Sequence, residues 1–123
     1  MSTSTQHPQP KLMANFEDIK KEISERIKKV ENLYKIILFG SHASGKAHAS
    51  SDIDLLVVLD SFEIPKDFRE RSENYLKVSR ALRELERKFP IDLIVYTRPE
   101  FDKFIEIGSM FSKTILKEGQ EIP

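Results

Sequence analysis

The chain has 123 residues, enough for one domain around one hydrophobic core. Twenty Lys and Arg balance twenty Asp and Glu, so bulk binding to nucleic acid through a basic excess is not expected. With no cysteine, disulfides and thiolate metal sites are excluded, and any metal must be held by oxygen or imidazole. No segment approaches the roughly 20 apolar residues that span a bilayer, and Met1 to Pro10 lacks the basic start and apolar run of a secretion signal. The expected setting is cytoplasmic, with no membrane partner.

Residues 1–14 combine Ser, Thr, Gln and Pro with little to bury, and read as a disordered tail ahead of a domain spanning 15–123. Phe16, Ile19, Ile23, Ile27, Val30 and Leu33 recur at steps of three and four, the stripe of a core-facing helix. Asn15 is its expected cap, and Glu17 and Asp18 suit the helix dipole in its first turn. The period then changes. Tyr34 to Phe39 is a short apolar run ending at Gly40, which predicts a buried strand. Ser41 to Ser51 is small and polar, with room for a helical turn or two. Ile53 to Leu59, rich in β-branched residues, is the second strand.

Pro65 opens a long helical pattern with Phe68, Tyr75, Leu76, Leu82, Leu85 and Phe89 on one side, which Pro90 ends. Ile91 to Tyr96 is a third strand. From Pro99 the pattern is helical again, with Phe101, Phe104, Ile105, Phe111, Ile115 and Leu116 as core positions and Gly108 as an interruption. Gly119 is a natural stop, and Glu121-Ile122 supplies a short edge strand. The fold class is therefore α/β (α+β), with a small mixed sheet of three to four strands flanked by helices. The pattern leaves strand order open.

Three features carry chemistry. Gly40-Ser41 closes a strand and leads into a helical turn, where a bare backbone and free N–H groups suit a phosphate. Strand-Gly-Ser-turn is also a common connection and does not by itself specify a ligand. Asp52-Ile53-Asp54 opens the second strand, and alternation puts both carboxylates on one face. Turn chemistry at Ser50-Ser51-Asp52 is the ordinary alternative. Asp92 sits within an apolar strand, where a charge needs a partner; the alternative to a functional role is a salt bridge to one of the many Lys or Arg.

If the strands are neighbours, three carboxylates converge beside a phosphate-binding turn. Two unit charges about 4 Å apart repel by roughly 4 kcal/mol at an effective dielectric near 20, so such a cluster calls for cations. Hard oxygen ligands next to phosphates favour Mg²⁺ or Mn²⁺, and a pair of such ions suits nucleotidyl transfer.

Ile37-Leu38-Phe39-Gly40-Ser41, ten residues, then Asp52-Ile53-Asp54-Leu55-Leu56-Val57 resembles the signature of the DNA polymerase beta-like nucleotidyltransferase superfamily. The short length and the later acid in a third strand resemble its minimal nucleotidyltransferase branch. The resemblance covers residues 16 to 122. It implies the nucleotidyltransferase fold, with Asp52, Asp54 and Asp92 as catalytic acids holding two metal ions and Gly40 and Ser41 holding nucleotide phosphates. It further implies ATP or another nucleoside triphosphate as substrate, AMP transfer to a hydroxyl, and a HEPN-type toxin as protein partner. The chain departs from the family at the turn. Gly40-Ser41-His42-Ala43-Ser44-Gly45 stands where the family often reads Gly-Ser-Arg-Ala-Arg-Gly. Both bidentate phosphate grips are lost, and Lys46 is the nearest replacement charge, with a plain surface lysine as its alternative. A binding module acting on a toxin by contact is the competing function. A domain with so open a site is expected to be completed by a second chain, either another copy or a partner.

Overall fold

The computed structural model describes residues 16–48 and 51–123. The expected tail and the Asn15 cap lie outside the described residues. Helix α1 (Phe16–Ile27) buries Ile19, Ile23 and Ile27, the middle of the stripe read from the sequence, with Glu17 and Asp18 in its first turn. Val30 is buried in the turn that follows, and Leu33 begins strand β1 (Leu33–Phe39) instead of extending the helix. Asn32 makes this switch at φ 62°, a left-handed conformation that Asn tolerates better than most residues.

After the short helix α2 (Ser41–Ser44), β2 (Ile53–Leu59) returns antiparallel to β1. β3 (Ile91–Thr97) runs parallel to β2. A parallel pair needs a crossover, supplied here by α3 (Phe68–Ala81) and α4 (Arg83–Glu86). α5 (Arg98–Ile107) and α6 (Met110–Glu118) follow, and β4 (Gln120–Glu121) adds to the free side of β1. The four-stranded sheet has the order β3-β2-β1-β4.

Both sheet faces are covered. Ile19, Ile23 and Ile27 of α1 and Val78, Leu82 and Leu85 of the crossover pack on Leu38, Leu55, Val57 and Val95. Phe101 and Ile115 of α5 and α6 pack on Ile37, Phe39, Leu56 and Val58. This double coverage explains why Leu55 to Leu59 show no alternation: every one is at most 2% exposed. Each such side chain contributes about 1.5–3 kcal/mol by leaving water.

The crossover departs from expectation. Its helix starts at Phe68, not Pro65, because Asp67 caps it by accepting from the Glu70 N–H at 3.0 Å. It also breaks at Leu82, which has φ −98° and ψ 5°. Phe68, expected in the core, is 80% exposed in the first turn of the helix. Tyr75 and Leu76 are likewise exposed, and the buried stripe is Val78, Leu82 and Leu85 at steps of four and three.

The C-terminal pattern divides as expected. The Thr97–Glu100 capping box with Pro99 starts α5, Gly108 ends it, and Ser109 caps α6 through the Ser112 N–H. Phe111 and Leu116, expected core residues, are about half exposed, because α6 turns only Ser112 and Ile115 inward. β4 falls one residue earlier than expected, and Ile122 is buried in the α1 layer. Among the described residues no helix is long and apolar enough to cross a membrane.

Gly119 ends α6 for a steric reason. A Cβ there would lie 2.4 Å from the Ile115 carbonyl oxygen and 2.8 Å from Cγ2 of Ile37. Gly119→Ala is expected to cost about 1–3 kcal/mol in a urea melt, as an overpacked core site does. An unchanged midpoint would mean that α6 does not pack this closely on β1.

Candidate functional site

Strand register assembles the acids. Phe39 pairs with Asp54 across the antiparallel β1–β2 ladder, and Asp54 pairs with Asp92 across the parallel β2–β3 ladder. Alternation places Asp54 on the face that Leu56 and Val58 share with α5 and α6, and Asp92 on the same face as Ile94 and Tyr96. Asp52 precedes β2 with the same parity and is exposed. Phe39, Asp54 and Asp92 thus form a row at the end of the sheet where β1 finishes and β2 and β3 begin.

Gly40 follows directly. A Cβ on it would lie 2.0 Å from Oδ2 of Asp54, so that carboxylate occupies the space a side chain would need. The backbone at φ 76° and ψ −156° is itself close to glycine-only. Its carbonyl accepts from the N–H groups of Ala43 and Ser44, both at 3.1 Å, which starts α2. Two independent constraints therefore fix glycine at this position.

The electrostatics agree with the crowding. Burial, then repulsion from Asp92 and from Asp52, raises the Asp54 carboxyl above the ordinary carboxylate range, while His42 acts the other way. Asp52, Asp54 and Asp92 have no ion-pair partner among the described residues. The salt bridge considered for Asp92 is not formed; the residue sits on the edge strand and is exposed, which is why an acid is tolerated in that apolar run. Among the described residues no three His, Asp or Glu are already grouped as a metal cage. The donor chemistry nevertheless fits a divalent ion: uncompensated carboxylates in register, one drawn out of water against a bare backbone.

Other parts of the turn are held by packing. The His42 ring stacks on Phe16 of α1, with centroids 4.3 Å apart and planes within 5°, and its Nε2 lies 3.4 Å from the Ser51 carbonyl oxygen. Ser41 is partly exposed, with its carbonyl accepting from the Lys46 N–H at 3.0 Å. The Lys46 side chain is exposed on the surface. Gln120 was not singled out by its sequence context. Its Nε2 donates to the Ala43 carbonyl at 3.0 Å, and its Oε1 accepts from Lys20 Nζ at 3.4 Å. That contact joins residues 77 apart, so no local pattern announces it.

A nucleotidyltransferase domain model matches residues 17–122. The chain belongs to the nucleotidyltransferase domain family. Membership makes it a nucleotidyltransferase-type enzyme, with the mixed four-stranded sheet and flanking helices of its structural neighbours. A Sulfolobus solfataricus protein assigned as a nucleotidyltransferase shares 24% identity at a TM-score of 0.52, over 83% of this chain and 85% of that one. A toxin–antitoxin structure with AMP-PNP shares 22% at 0.52, over 85% and 72%. A doubly substituted mutant of the toxin–antitoxin MntA–HpeT shares 21% at 0.50, over 85% and 72%. No curated protein matches the sequence.

Two outcomes follow for the nucleotidyltransferase domain. Gly40→Ala forces a Cβ into the Asp54 carboxylate and should lower stability by about 1–3 kcal/mol in denaturant melts. A stability within about 0.5 kcal/mol of wild type would mean the turn is not held against Asp54. The second concerns pH. Because the folded-state pKa of Asp54 lies above its unfolded value, the ionised group costs stability at neutral pH, and the native state recovers it by taking up a proton as pH falls. Asp54→Asn in chelator should raise Tm near neutrality. That advantage should shrink as pH falls towards the ordinary carboxylate range, about pH 4. A gap that widens on acidification would reverse the sign argued here.

Proposed function

We propose that this domain transfers a nucleoside monophosphate, AMP from ATP, to a hydroxyl in a metal-dependent reaction carried by Asp52, Asp54 and Asp92. The observation that carries the proposal is the in-register Asp54–Asp92 pair, with the Asp54 carboxylate against the bare backbone of Gly40. In this reading Asp52, Asp54 and Asp92 hold Mg²⁺ or Mn²⁺, two ions in all. When bound, such ions polarise the α-phosphate and neutralise charge on the leaving pyrophosphate.

The chain's own residues do the rest. Gly40 lets the triphosphate approach the turn, and the Ser41 hydroxyl and the start of α2 donate to its oxygens. The acceptor oxygen bonds to the α-phosphorus as the bridging bond to the β-phosphate breaks, and the hydroxyl proton passes to a carboxylate of the cluster. Lys46, exposed one residue past the turn, is the remaining cation of the loop and gives a less directional contact than the family arginines.

The acceptor proposed is a hydroxyl on a partner protein, a HEPN-type toxin, supported by the toxin–antitoxin proteins among the structural neighbours. A second reading is neutralisation by contact alone. It is supported by Phe62, Ile64 and Phe68, at 74%, 67% and 80% exposure, beyond the end of the sheet away from the acids. Neutralisation that survives removal of all three aspartates would favour contact.

Calorimetric titration with ATP tests the leading reading. Wild type should bind only with Mg²⁺ or Mn²⁺ present. Asp52→Asn with Asp54→Asn should weaken binding at least about tenfold, or roughly 1.4 kcal/mol. Metal-independent binding that the double variant retains would overturn it.

A further inference from the structure

We propose that Phe111, with Met110 beside it, is the platform on which the donor nucleotide's base stacks. The inference rests on the nucleotidyl-transfer reading and names the part of that site which grips the base.

Four aromatic rings run across the α5/α6 face. Tyr96 lies 5.4 Å from Phe104, Phe104 lies 5.8 Å from Phe111, and Phe111 meets Phe39 edge-on at 5.7 Å. Phe39 is the cross-strand partner of Asp54 and the residue before Gly40. Cross-strand Cβ atoms lie about 4.5–5.5 Å apart, so the ring of Phe111 stands on the order of 10 Å from Asp54, within a nucleotide's reach of a phosphate held there. Phe39 is 9% exposed, whereas Phe111 is 47% exposed and Met110 81%. The line of rings therefore opens to solvent beside the acids.

Core packing accounts for Phe39 and Phe101 but not for the open side of Phe111, nor for Met110 at the very start of α6. Of the other large exposed aromatics, Tyr34, Phe62 and Phe68 flank the opposite end of the strands, out of reach of a nucleotide held at Gly40, and Tyr75 belongs to the crossover helix, which packs on the other face of the sheet. An aromatic face stacks any base, and a polarisable Met thioether beside it adapts to the ring laid on it. A turn that lacks the family arginines gains from a grip on the other end of the same ligand.

The test compares ATP with inorganic tripolyphosphate, both with Mg²⁺, on wild type, Phe111→Ala and Phe111→Leu, with melts confirming that each is folded. Phe111→Ala should weaken ATP about tenfold or more and leave tripolyphosphate unchanged; Phe111→Leu, which keeps the apolar contact to Phe39 but not the ring, should fall between. Equal losses for both ligands, or no loss for either, would overturn the platform while leaving the phosphate site standing. If wild type binds neither ligand, the nucleotide reading itself fails and the platform with it.

Discussion

The contact on which this structure turns is the Asp54 carboxylate lying where a Cβ of residue 40 would be. It couples three things that are separable in principle: the end of β1, the start of β2 and the entry to α2. Because Phe39 and Asp54 are paired in the ladder, the next residue must leave the strand without a side chain and at a backbone angle other residues avoid. The register of the central strands and the identity of the turn are thus a single constraint. A slip of one residue would send Asp54 into the α1 layer and Leu55 towards the turn.

The sheet's mixed topology does the rest of the placement. An antiparallel β1–β2 pair brings the turn to Asp54, and a parallel β2–β3 pair brings Asp92 to the same end, because both strands start there. An all-antiparallel sheet of these segments would put Asp92 at the far end. The long crossover through α3 and α4 therefore serves the site as well as the core: it carries the chain back to where β2 began.

Much of this was legible in the sequence, for identifiable reasons. The strands were visible as apolar runs bounded by Gly40, Pro90 and polar turns, and the three acids as exceptions inside or beside those runs. Periodicity misled where burial depends on what lies across from a helix. Phe68 and Phe111 fit helical stripes, yet each lies in the first turn of its helix and stays exposed, Phe111 with only one edge against Phe39. The residues that steady the turn, Phe16 by stacking on His42 and Gln120 by bonding to Ala43, act over distances in sequence that no local pattern encodes. Asp92 was read as an acid needing a partner inside an apolar strand. Its exposure on the edge strand resolves that tension without a salt bridge.

The turn also shows how the arginine-free sequence is accommodated. His42 lies flat on Phe16 and so is committed to packing α2 onto α1, while Gln120 ties the same helix to β4. Both side chains fix the position of the backbone and neither adds a permanent charge aimed at a phosphate. In the proposed reading the attraction for a triphosphate would come from elsewhere: from cations that Asp54 and Asp92 would hold, and from contacts to the parts of the nucleotide beyond its phosphates. Without cations the raised carboxyl of Asp54 belongs to a like-charged row that repels an anionic ligand. Binding of metal and nucleotide is then mutually dependent on electrostatic grounds alone, since each neutralises the charge that excludes the other. On the proposed function, a turn positioned by packing and charged only by its ions would make nucleotide affinity follow metal occupancy more steeply than one carrying its own arginines.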